Sequence, residues 1–370
     1  MRTRLRSILL AAGLGASALP VRAQSLDERA AAFGGVEARS LSFELLPAVR
    51  RIRQISVPVG VALPFGRFSV DLGSSWASTI LVRRDGTSHT VSNITDTQIR
   101  AAYVFGSDAV VATLAVNLPT GPESASPPDY SVIGAVSTAF LAFPTPVYAS
   151  GFSVTGGLAT AIAAGDWSLG LAGSIRASEK FTPYEDLAGP ITYKPGVEGR
   201  LRAGADGLIG SSRLTLGVTW SSFGTDQFGA GGAGTGQYQP GRRLIVEGAL
   251  VSPIGGSTIS LTLWNFHRAA GDTSQISVAN KENLAGGTLA IGIPLSPGFV
   301  LEPQVAGRLS NPESGSGRWI GAGSGFRIRL SDGLSMHAEG RYDWGYVKNG
   351  NGLRSDLSGW YGSTFLRAGL

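Results

Sequence analysis

The 370-residue chain has no cysteine, and only 15% of its residues are charged. The absence of cysteine excludes a disulfide scaffold and any metal site built on thiolates. No stretch after the N-terminal segment approaches the ~20 uninterrupted apolar residues that a transmembrane helix needs. The chain is instead rich in glycine, with 53 residues that lack the period of collagen, and 43% of it is apolar, which argues against disorder.

The first 23 residues have the pattern of a secretory signal peptide. Three arginines precede an apolar segment at 8–21, and Val21-Arg22-Ala23 has the small-residue pattern of a cleavage site. Four of the 31 basic residues lie in this segment, so the formal net charge of +5 belongs largely to a part that is removed. The remaining basic residues form no run or face, and we expect no nucleic-acid partner.

Alternation of apolar and polar residues dominates the chain after residue 50. Clear examples are 55–63, 110–118, 167–175 and 322–330. A period of two is typical of β-strands. These runs continue for about ten residues, which is the length that a tilted strand needs to cross a bilayer.

The connections between these runs alternate between short and long. The short ones carry Gly, Pro, Asp or Ser as hairpin turns do, and they lie at 64–66, 106–108, 164–166, 296–298 and 331–333, with slightly longer ones at 206–212 and 252–256. The long ones lie at 84–92, 119–150, 178–195, 223–240, 268–283, 310–317 and 347–357. Short periplasmic turns and long extracellular loops are typical of a transmembrane β-barrel.

The chain therefore predicts an all-β fold, a single antiparallel transmembrane β-barrel of 14–16 strands that occupies 51–370. We count fifteen strands from Arg53 to the C-terminus and a sixteenth within 39–47. The N-terminal extension at 24–50 is expected to be either this first strand or an internal plug, and a plug lowers the count to about 14.

Charged residues of both signs share one face of several predicted strands. A charge on the lipid face costs ~2–4 kcal/mol at mid-depth, so these side chains are expected to point into the lumen. The hypothesis is a lumen-lining charge network of Glu198, Arg200, Arg202, Arg243, Glu247, Glu302, Arg308, Arg327, Arg329, His337, Glu339, Arg341 and Asp343. Such pairs could line an ion-selective conduit or only hold a closed interior together.

Aromatic residues cluster near the strand ends, as in the two interfacial girdles of a membrane barrel. The predicted interfacial aromatics are Trp167, Phe299, Trp319, Trp344, Tyr346 and Trp360. Another apolar stretch, at 132–143, falls inside the long loop 119–150. It is expected either to fold inward as a hydrophobic gate or to form an ordinary extra strand pair.

The sequence favours no catalytic chemistry. Its three histidines, His89, His267 and His337, have no metal-ligand spacing, and no convincing nucleophile–base pair accompanies them. The glycine-rich stretch 229–236 lacks the residues of a phosphate loop and indicates a flexible extracellular loop. We expect no enzyme activity, no metal and no cofactor.

These features together resemble a bacterial outer-membrane β-barrel. The resemblance covers the whole predicted mature chain, including a final strand that alternates from Trp360 to Leu370. It implies outer-membrane lipid and the barrel assembly machinery as partners, although the chain ends in Leu370 where this family usually has Phe, Tyr or Trp. The size, the N-terminal extension and the Pro-Thr-Gly at 119–121 are also similar to the transporters of fatty acids and aromatic hydrocarbons, but the Asn-Pro-Ala hatch motif of that group is missing.

The expected function is an outer-membrane channel or passive transporter for small solutes, hydrophobic ones among them, that is secreted with the signal peptide. The alternative is a structural or adhesive surface barrel whose loops bind a partner and whose lumen is closed. The sequence leaves the solute and the oligomeric state open.

Overall fold

A computed structural model of the protein describes residues 30–46, 48–106, 110–186, 189–230, 234–273, 281–312 and 315–369. The predicted signal peptide at 1–23 and the terminal Leu370 lie outside these residues. In the described part, no helix is long and apolar enough to cross a membrane.

Twenty-two strands account for most of the described chain. They are β1 (Ala31–Phe43), β2 (Val49–Phe65), β3 (Phe68–Arg83), β4 (Ser88–Ile94), β5 (Thr97–Phe105), β6 (Val110–Leu118), β7 (Ser153–Ala164), β8 (Trp167–Ser178), β9 (Phe181–Asp186), β10 (Gly189–Lys194), β11 (Glu198–Ile209), β12 (Ser212–Phe223), β13 (Asp226–Ala230), β14 (Gly234–Gln239), β15 (Arg243–Ile254), β16 (Ser257–Arg268), β17 (Asp272–Thr273), β18 (Glu282–Ser296), β19 (Phe299–Ser310), β20 (Gly315–Arg329), β21 (Leu334–Asn349) and β22 (Arg354–Gly369).

The wall is a closed antiparallel barrel of 16 strands, as the alternation predicts. β1 pairs with β2 on one side and with the last strand, β22, on the other, in register from Ala31 opposite Gly369 to Phe43 opposite Leu357. β4 and β5 both pair with β3, at opposite ends of it, so they are two halves of one wall strand that is interrupted at Thr95-Asp96.

The first strand begins earlier than the sequence indicates. β1 spans Ala31–Phe43, whereas the alternation places a strand within 39–47. Phe33-Gly34-Gly35 hides the pattern, because two adjacent glycines leave no apolar and polar residues to alternate. Residues 31–43 thus lie in the wall and not in a plug.

Most of the tight turns at the periplasmic end have two residues. Gly66, Gly165, Gly210 and Gly255 open four of them with φ between 59° and 64°. The left-handed conformation costs glycine little, and hairpins of this length require it. The turns within 206–212 and 252–256 are therefore shorter than predicted, because β11, β12, β15 and β16 extend up to Ile209, Ser212, Ile254 and Ser257.

The outer face of the wall is apolar. Leu158, Ile162, Leu171 and Ile175 are each more than 60% exposed, although they lie within long paired strands. Most of their neighbours on the opposite face are less exposed, and Ala161 is buried. A continuous apolar belt around a closed barrel is the surface that a bilayer covers.

Three of the long extracellular loops pair to form a second sheet. Its strand order is β17-β14-β13-β10-β9. The glycine-rich segment 229–236, predicted as a flexible loop, belongs partly to the β13–β14 pairing, in which Gly229 lies opposite Thr235. Residues 231–233 between these strands lie outside the described part. We call this five-stranded assembly the loop sheet.

The long loop 119–150 contains helix α1 (Pro127–Ser137) and a 3-10 turn at Ala139–Leu141. The extra strand pair considered for 132–143 is therefore wrong. A helix forms here because Ser126-Pro127-Pro128-Asp129 favours a helix start. Proline is preorganised for the first turn of a helix, and Ser126 and Asp129 form a capping box. We call residues 119–150 the inserted loop.

Candidate functional site

The inserted loop packs its apolar side chains against the inner face of the wall. Val136 and Phe140 of the loop are buried in one cluster with Leu41 of β1, Ile52 of β2 and Trp319 of β20. Alternation along β2 places Ile52 on the face opposite the exposed Ile55. The loop therefore lies inside the barrel, where its apolar residues avoid water.

Three polar side chains of β2 and β3 hold the returning arm of the inserted loop, the part around Thr145 and Tyr148. The Gln54 side chain accepts a 2.7 Å hydrogen bond from the backbone N–H of Thr145 and donates a 2.8 Å bond to its carbonyl. Gln54 also donates to the Thr79 hydroxyl at 2.8 Å. The Ser56 and Thr145 hydroxyls share a 2.7 Å bond, and those of Thr79 and Tyr148 share one of 2.6 Å. All these groups are buried, so each lost partner would leave an unsatisfied polar atom.

Both ends of the inserted loop meet at the break between β4 and β5. The Asp96 carboxylate accepts from the backbone N–H of Ser150 at 2.6 Å and from that of Gly121 at 3.0 Å. It also accepts from the Asn117 amide at 2.9 Å. The interruption of the wall strand thus places the Asp96 carboxylate where it binds both ends of the inserted loop.

The helix of the inserted loop is held by a second carboxylate. Asp129 accepts a 2.7 Å bond from His89 on β4 and caps α1 through Ser126. Partial burial acts to raise the pKa of Asp129, but the hydrogen bonds from Ser126 and His89 outweigh it, so the pKa lies below its ordinary value. His89 lies on a strand here, whereas the sequence places it in a loop.

Further along the same inner wall, β19 and β20 hold the tip of the inserted loop. Trp319 donates its indole N–H to the Phe140 carbonyl at 2.8 Å, and Arg308 donates to the Ala139 carbonyl. Trp319 is only 5% exposed, so its predicted place in an interfacial girdle is wrong. Trp319 lies on the inner face of β20, the same face as Arg327. The prediction failed because closeness to a long loop does not indicate on which face of the strand an aromatic side chain lies.

The other predicted interfacial aromatics lie on the outer face. Trp344 and Trp360 are 45% and 49% exposed. Phe299 packs near Phe326 with ring centroids 6.1 Å apart, and Trp167 lies over Gly207 beside a tight turn. Tyr346 contacts three cationic groups near the extracellular end, which are the guanidinium groups of Arg318 and Arg354 and the ammonium group of Lys348.

The predicted lumen charges form separate pairs and small groups. Arg200 lies 2.9 Å from Glu198 on the same strand, and Arg202 of β11 pairs with Glu247 of β15 across the intervening β12. Glu302 pairs with Arg327 and lies 3.3 Å from His337. Further contacts join Arg341 to Asp343 at 2.7 Å and Gln304 to Glu339 at 2.6 Å.

Four predicted members have no ion pair among the residues that the structure describes, namely Arg243, Arg308, Arg329 and Glu339, although Arg308 binds the Ala139 carbonyl and Glu339 the Gln304 amide. Arg329 is exposed at the periplasmic end of β20. Arg243 lies over the rings of Phe223 and Phe266, with its guanidinium carbon 4.7 Å and 5.8 Å from their centroids. Two buried charges, Glu37 and Arg39 on β1, lie outside the predicted set. Their alternation with apolar Val36 and Ala38 was the available signal.

An apolar pocket of about 350 Å³ lies between the inserted loop and the loop sheet. Tyr193 forms part of its wall, with its ring 4.8 Å from that of Phe228 and 5.7 Å from that of Phe181. Burial and the neighbouring Asp226 carboxylate raise the pKa of Tyr193, which donates to that carboxylate at 2.6 Å. The pocket therefore presents aromatic faces with few polar groups, as binding sites for small apolar molecules do.

No family model and no curated protein matches the chain. Among solved structures it is similar to outer-membrane expressed OmpT of Vibrio cholerae, with 9% identity, a TM-score of 0.44 and coverage of 92% of this chain and 97% of the other. It is also similar to a Pseudomonas aeruginosa FadL homologue (9% identity, TM-score 0.45, coverage 93% and 91%) and to Pseudomonas aeruginosa OccK11 (11% identity, TM-score 0.43, coverage 92% and 96%).

The predicted resemblance to outer-membrane β-barrels is confirmed at the level of fold, because the wall of this chain is itself a closed 16-stranded barrel. Identities of 9–11% do not extend the likeness to a solute. The narrower similarity to transporters of fatty acids and aromatic hydrocarbons stays a prediction.

Proposed function

We propose that the protein is an outer-membrane channel for small solutes and that the inserted loop determines which solutes pass through it. The observation that carries the proposal is the position of this loop. It is tied to β2 by Gln54, to β19 by Arg308 and to β20 by Trp319, on the inner side of a closed wall. A loop held inside a barrel narrows the lumen without interrupting the wall, so it can select what passes.

The apolar pocket supports a preference for hydrophobic solutes. It lies between the loop sheet and the inserted loop, on the extracellular side. Phe181 and Phe228 provide aromatic faces that a small ring could stack on. A solute would bind first in this pocket and then pass the inserted loop into the more polar lumen. The proposal includes no catalytic step and no cofactor.

Liposome permeation tests the proposal. Vesicles that contain the purified protein should swell in glucose and in phenyl glucoside, an aromatic solute whose sugar prevents rapid passage through lipid, and vesicles without the protein should swell in neither. Phe228→Ala should slow swelling in phenyl glucoside and leave glucose swelling unchanged, because it removes one face of the pocket. Phe65→Ala, an exposed aromatic at a periplasmic turn, is the matched control and should change neither rate. Impermeability to both solutes would contradict a channel.

The structural or adhesive alternative rests on the loop sheet. Five paired strands built from three extracellular loops form a firm surface above the barrel, which transport alone does not need. If the vesicles are impermeable to every solute and the intact protein binds cells through this sheet, the adhesive function replaces the channel.

A further inference from the structure

Three arginines surround the indole of Trp319 on the inner wall. The guanidinium carbons of Arg39, Arg308 and Arg341 lie 5.3, 5.8 and 5.3 Å from the centroid of its ring. They come from β1, β19 and β21, which the closure of the barrel brings together around β20. We call these three side chains the arginine cluster. A cation–π contact stabilises a guanidinium group by less than its removal from water costs, so these contacts alone do not compensate the buried charge.

Among the described residues, Asp343 is the carboxylate that contacts the arginine cluster. Its Oδ1 accepts from Arg341 Nε at 2.7 Å. Its Oδ2 lies 2.8 Å from Arg39 Nη2, but the angles are not those of a hydrogen bond. Arg308 binds the neutral carbonyl of Ala139 instead. Three positive charges therefore face one negative charge.

The next carboxylates on the wall are engaged elsewhere. Glu37 accepts a 2.9 Å bond from Tyr361, and Glu339 accepts a 2.6 Å bond from Gln304. Both lie two residues nearer the periplasm than the arginines on their own strands, about 7 Å along the strand. Neither forms an ion pair with Arg39 or Arg341 in the described part of the chain.

The buried guanidinium group of Arg39 has hydrogen-bond donors without an acceptor in the described part of the chain, and it has no contact with water. Its side chain is 0% exposed, and its Nε and Nη1 have no acceptor among the described residues. An unsatisfied buried donor is unfavourable, and more so on a charged group. Gly321 leaves the space that Asp343 and Arg341 occupy, because a Cβ at this position would overlap Asp343 Oδ1 and approach Arg341. The cluster is thus cationic, enclosed and short of acceptors.

We propose that the arginine cluster binds a small monovalent anion where the inserted loop meets the inner wall. The anion is either a free halide or the carboxylate group of a solute, since both offer a compact negative charge to guanidinium donors. It supplies the acceptor that Arg39 lacks and lowers the excess positive charge. The proposal goes beyond the channel function, because binding requires no conduction.

Bromide tests the site directly, because it is a halide that can be located by anomalous scattering. Crystals of the intact protein soaked in sodium bromide should show an anomalous peak within hydrogen-bond distance of the arginine cluster. In solution, the melting temperature should rise with bromide at constant ionic strength, with a bulky sulfonate as the replacing anion. Binding to the folded state alone stabilises it in this way.

Arg308→Gln removes one charge of the cluster and keeps a donor for the Ala139 carbonyl. It should weaken the bromide response about tenfold, the cost of one hydrogen bond to a charged group. Arg327→Gln is the matched control, because it removes an inner-wall arginine that is paired with Glu302, and it should leave the response unchanged. Acetate that displaces bromide would assign the site to solute carboxylates, and failure to displace it would assign the site to free halides.

The proposal is overturned if no bromide peak lies at the cluster, or if Arg308→Gln and the wild type respond equally to bromide. These readouts report binding to the purified protein. A channel that conducts but binds no bromide would leave the proposed function intact, and a protein that binds bromide but does not conduct would leave the anion site intact.

Discussion

Asp96 accepts a 2.6 Å hydrogen bond from the backbone N–H of Ser150 and so joins the end of the inserted loop to a break in the barrel wall. The same carboxylate accepts from Gly121 at the start of the loop. Hydrogen bonds to a charged group contribute ~1.5–3 kcal/mol each. The two ends of a loop of about thirty residues are thus held by one side chain that the wall strand supplies.

Asp96→Ala should release the inserted loop without unfolding the barrel. The substitution removes the acceptor for both loop ends, so residues 119–150 should become sensitive to protease at concentrations that leave the wild type uncut. The strand content, measured by circular dichroism, should be unchanged. Asp85→Ala is the control, because it removes an exposed carboxylate that binds Thr87 within a neighbouring loop. Equal cleavage of the two variants would argue against the anchor.

Gln54→Leu should expose the Thr145 amide to exchange with solvent. Leucine fills a similar volume but leaves the N–H and the carbonyl of Thr145 without partners, which costs ~1–3 kcal/mol for each buried group. Hydrogen exchange measured by mass spectrometry should therefore speed up in peptides that cover 140–150. Gln98→Leu, an exposed glutamine on β5, should leave that exchange as it is. Slow exchange in Gln54→Leu would show that other contacts hold the arm.

Gly321→Ala should lower the melting temperature of the barrel. A Cβ at this position would overlap Asp343 Oδ1 and press on Arg341, in a place where the inner wall is closely packed. Overpacking of this kind typically costs ~1–3 kcal/mol. At Gly340, on the neighbouring strand, an added Cβ meets nothing within 4 Å, and Gly340→Ala serves as the control. Equal melting temperatures for the two variants would contradict the packing described here.

The anchoring of α1 should weaken in acid. The pKa of Asp129 is depressed in the folded protein, so its contribution to stability is fully present above the pKa of an unfolded Asp, ~3.9. It is lost as the pH falls below that value and through the lowered pKa of the folded state. Exchange or proteolysis of residues 127–137 should therefore increase below about pH 4, and Asp129→Asn should flatten this dependence. A wild-type profile equal to that of Asp129→Asn would contradict the assignment.

The wall could be predicted from the sequence, because its strands are long and each turns one face to lipid and the other to the lumen. That constraint leaves a period of two over about ten residues, as in 110–118 and 167–175. It fails at Phe33-Gly34-Gly35, where glycine removes the pattern, and β1 is misplaced there.

The interior could be predicted only in part. Alternation places His337, Glu339, Arg341 and Asp343 on one face of β21, but it does not tell which strands become neighbours. The pairing of Arg39 with Asp343 depends on closure of β1 on β22, a contact between the two ends of the chain. The same closure explains why the arginine cluster around Trp319 was missed.

The inserted loop was the least predictable part. Ser126-Pro127-Pro128-Asp129 is a helix start that the sequence does show. Its position inside the barrel follows from single hydrogen bonds, such as those of Gln54 and Trp319, to residues 91 and 179 positions away in the chain. No local pattern contains such contacts.

The most direct test that the inserted loop restricts the channel is the single-channel conductance of a variant in which this loop is deleted. Gly121 and Ser150 both bind Asp96, so their backbones are close, and two glycines in place of 123–148 can close the gap without moving β6 or β7. In planar bilayers the deletion variant should conduct clearly more current per channel than the wild type, while deletion of 227–238 from the loop sheet should not. Equal conductance of the wild type and the variant without 123–148 would contradict the account.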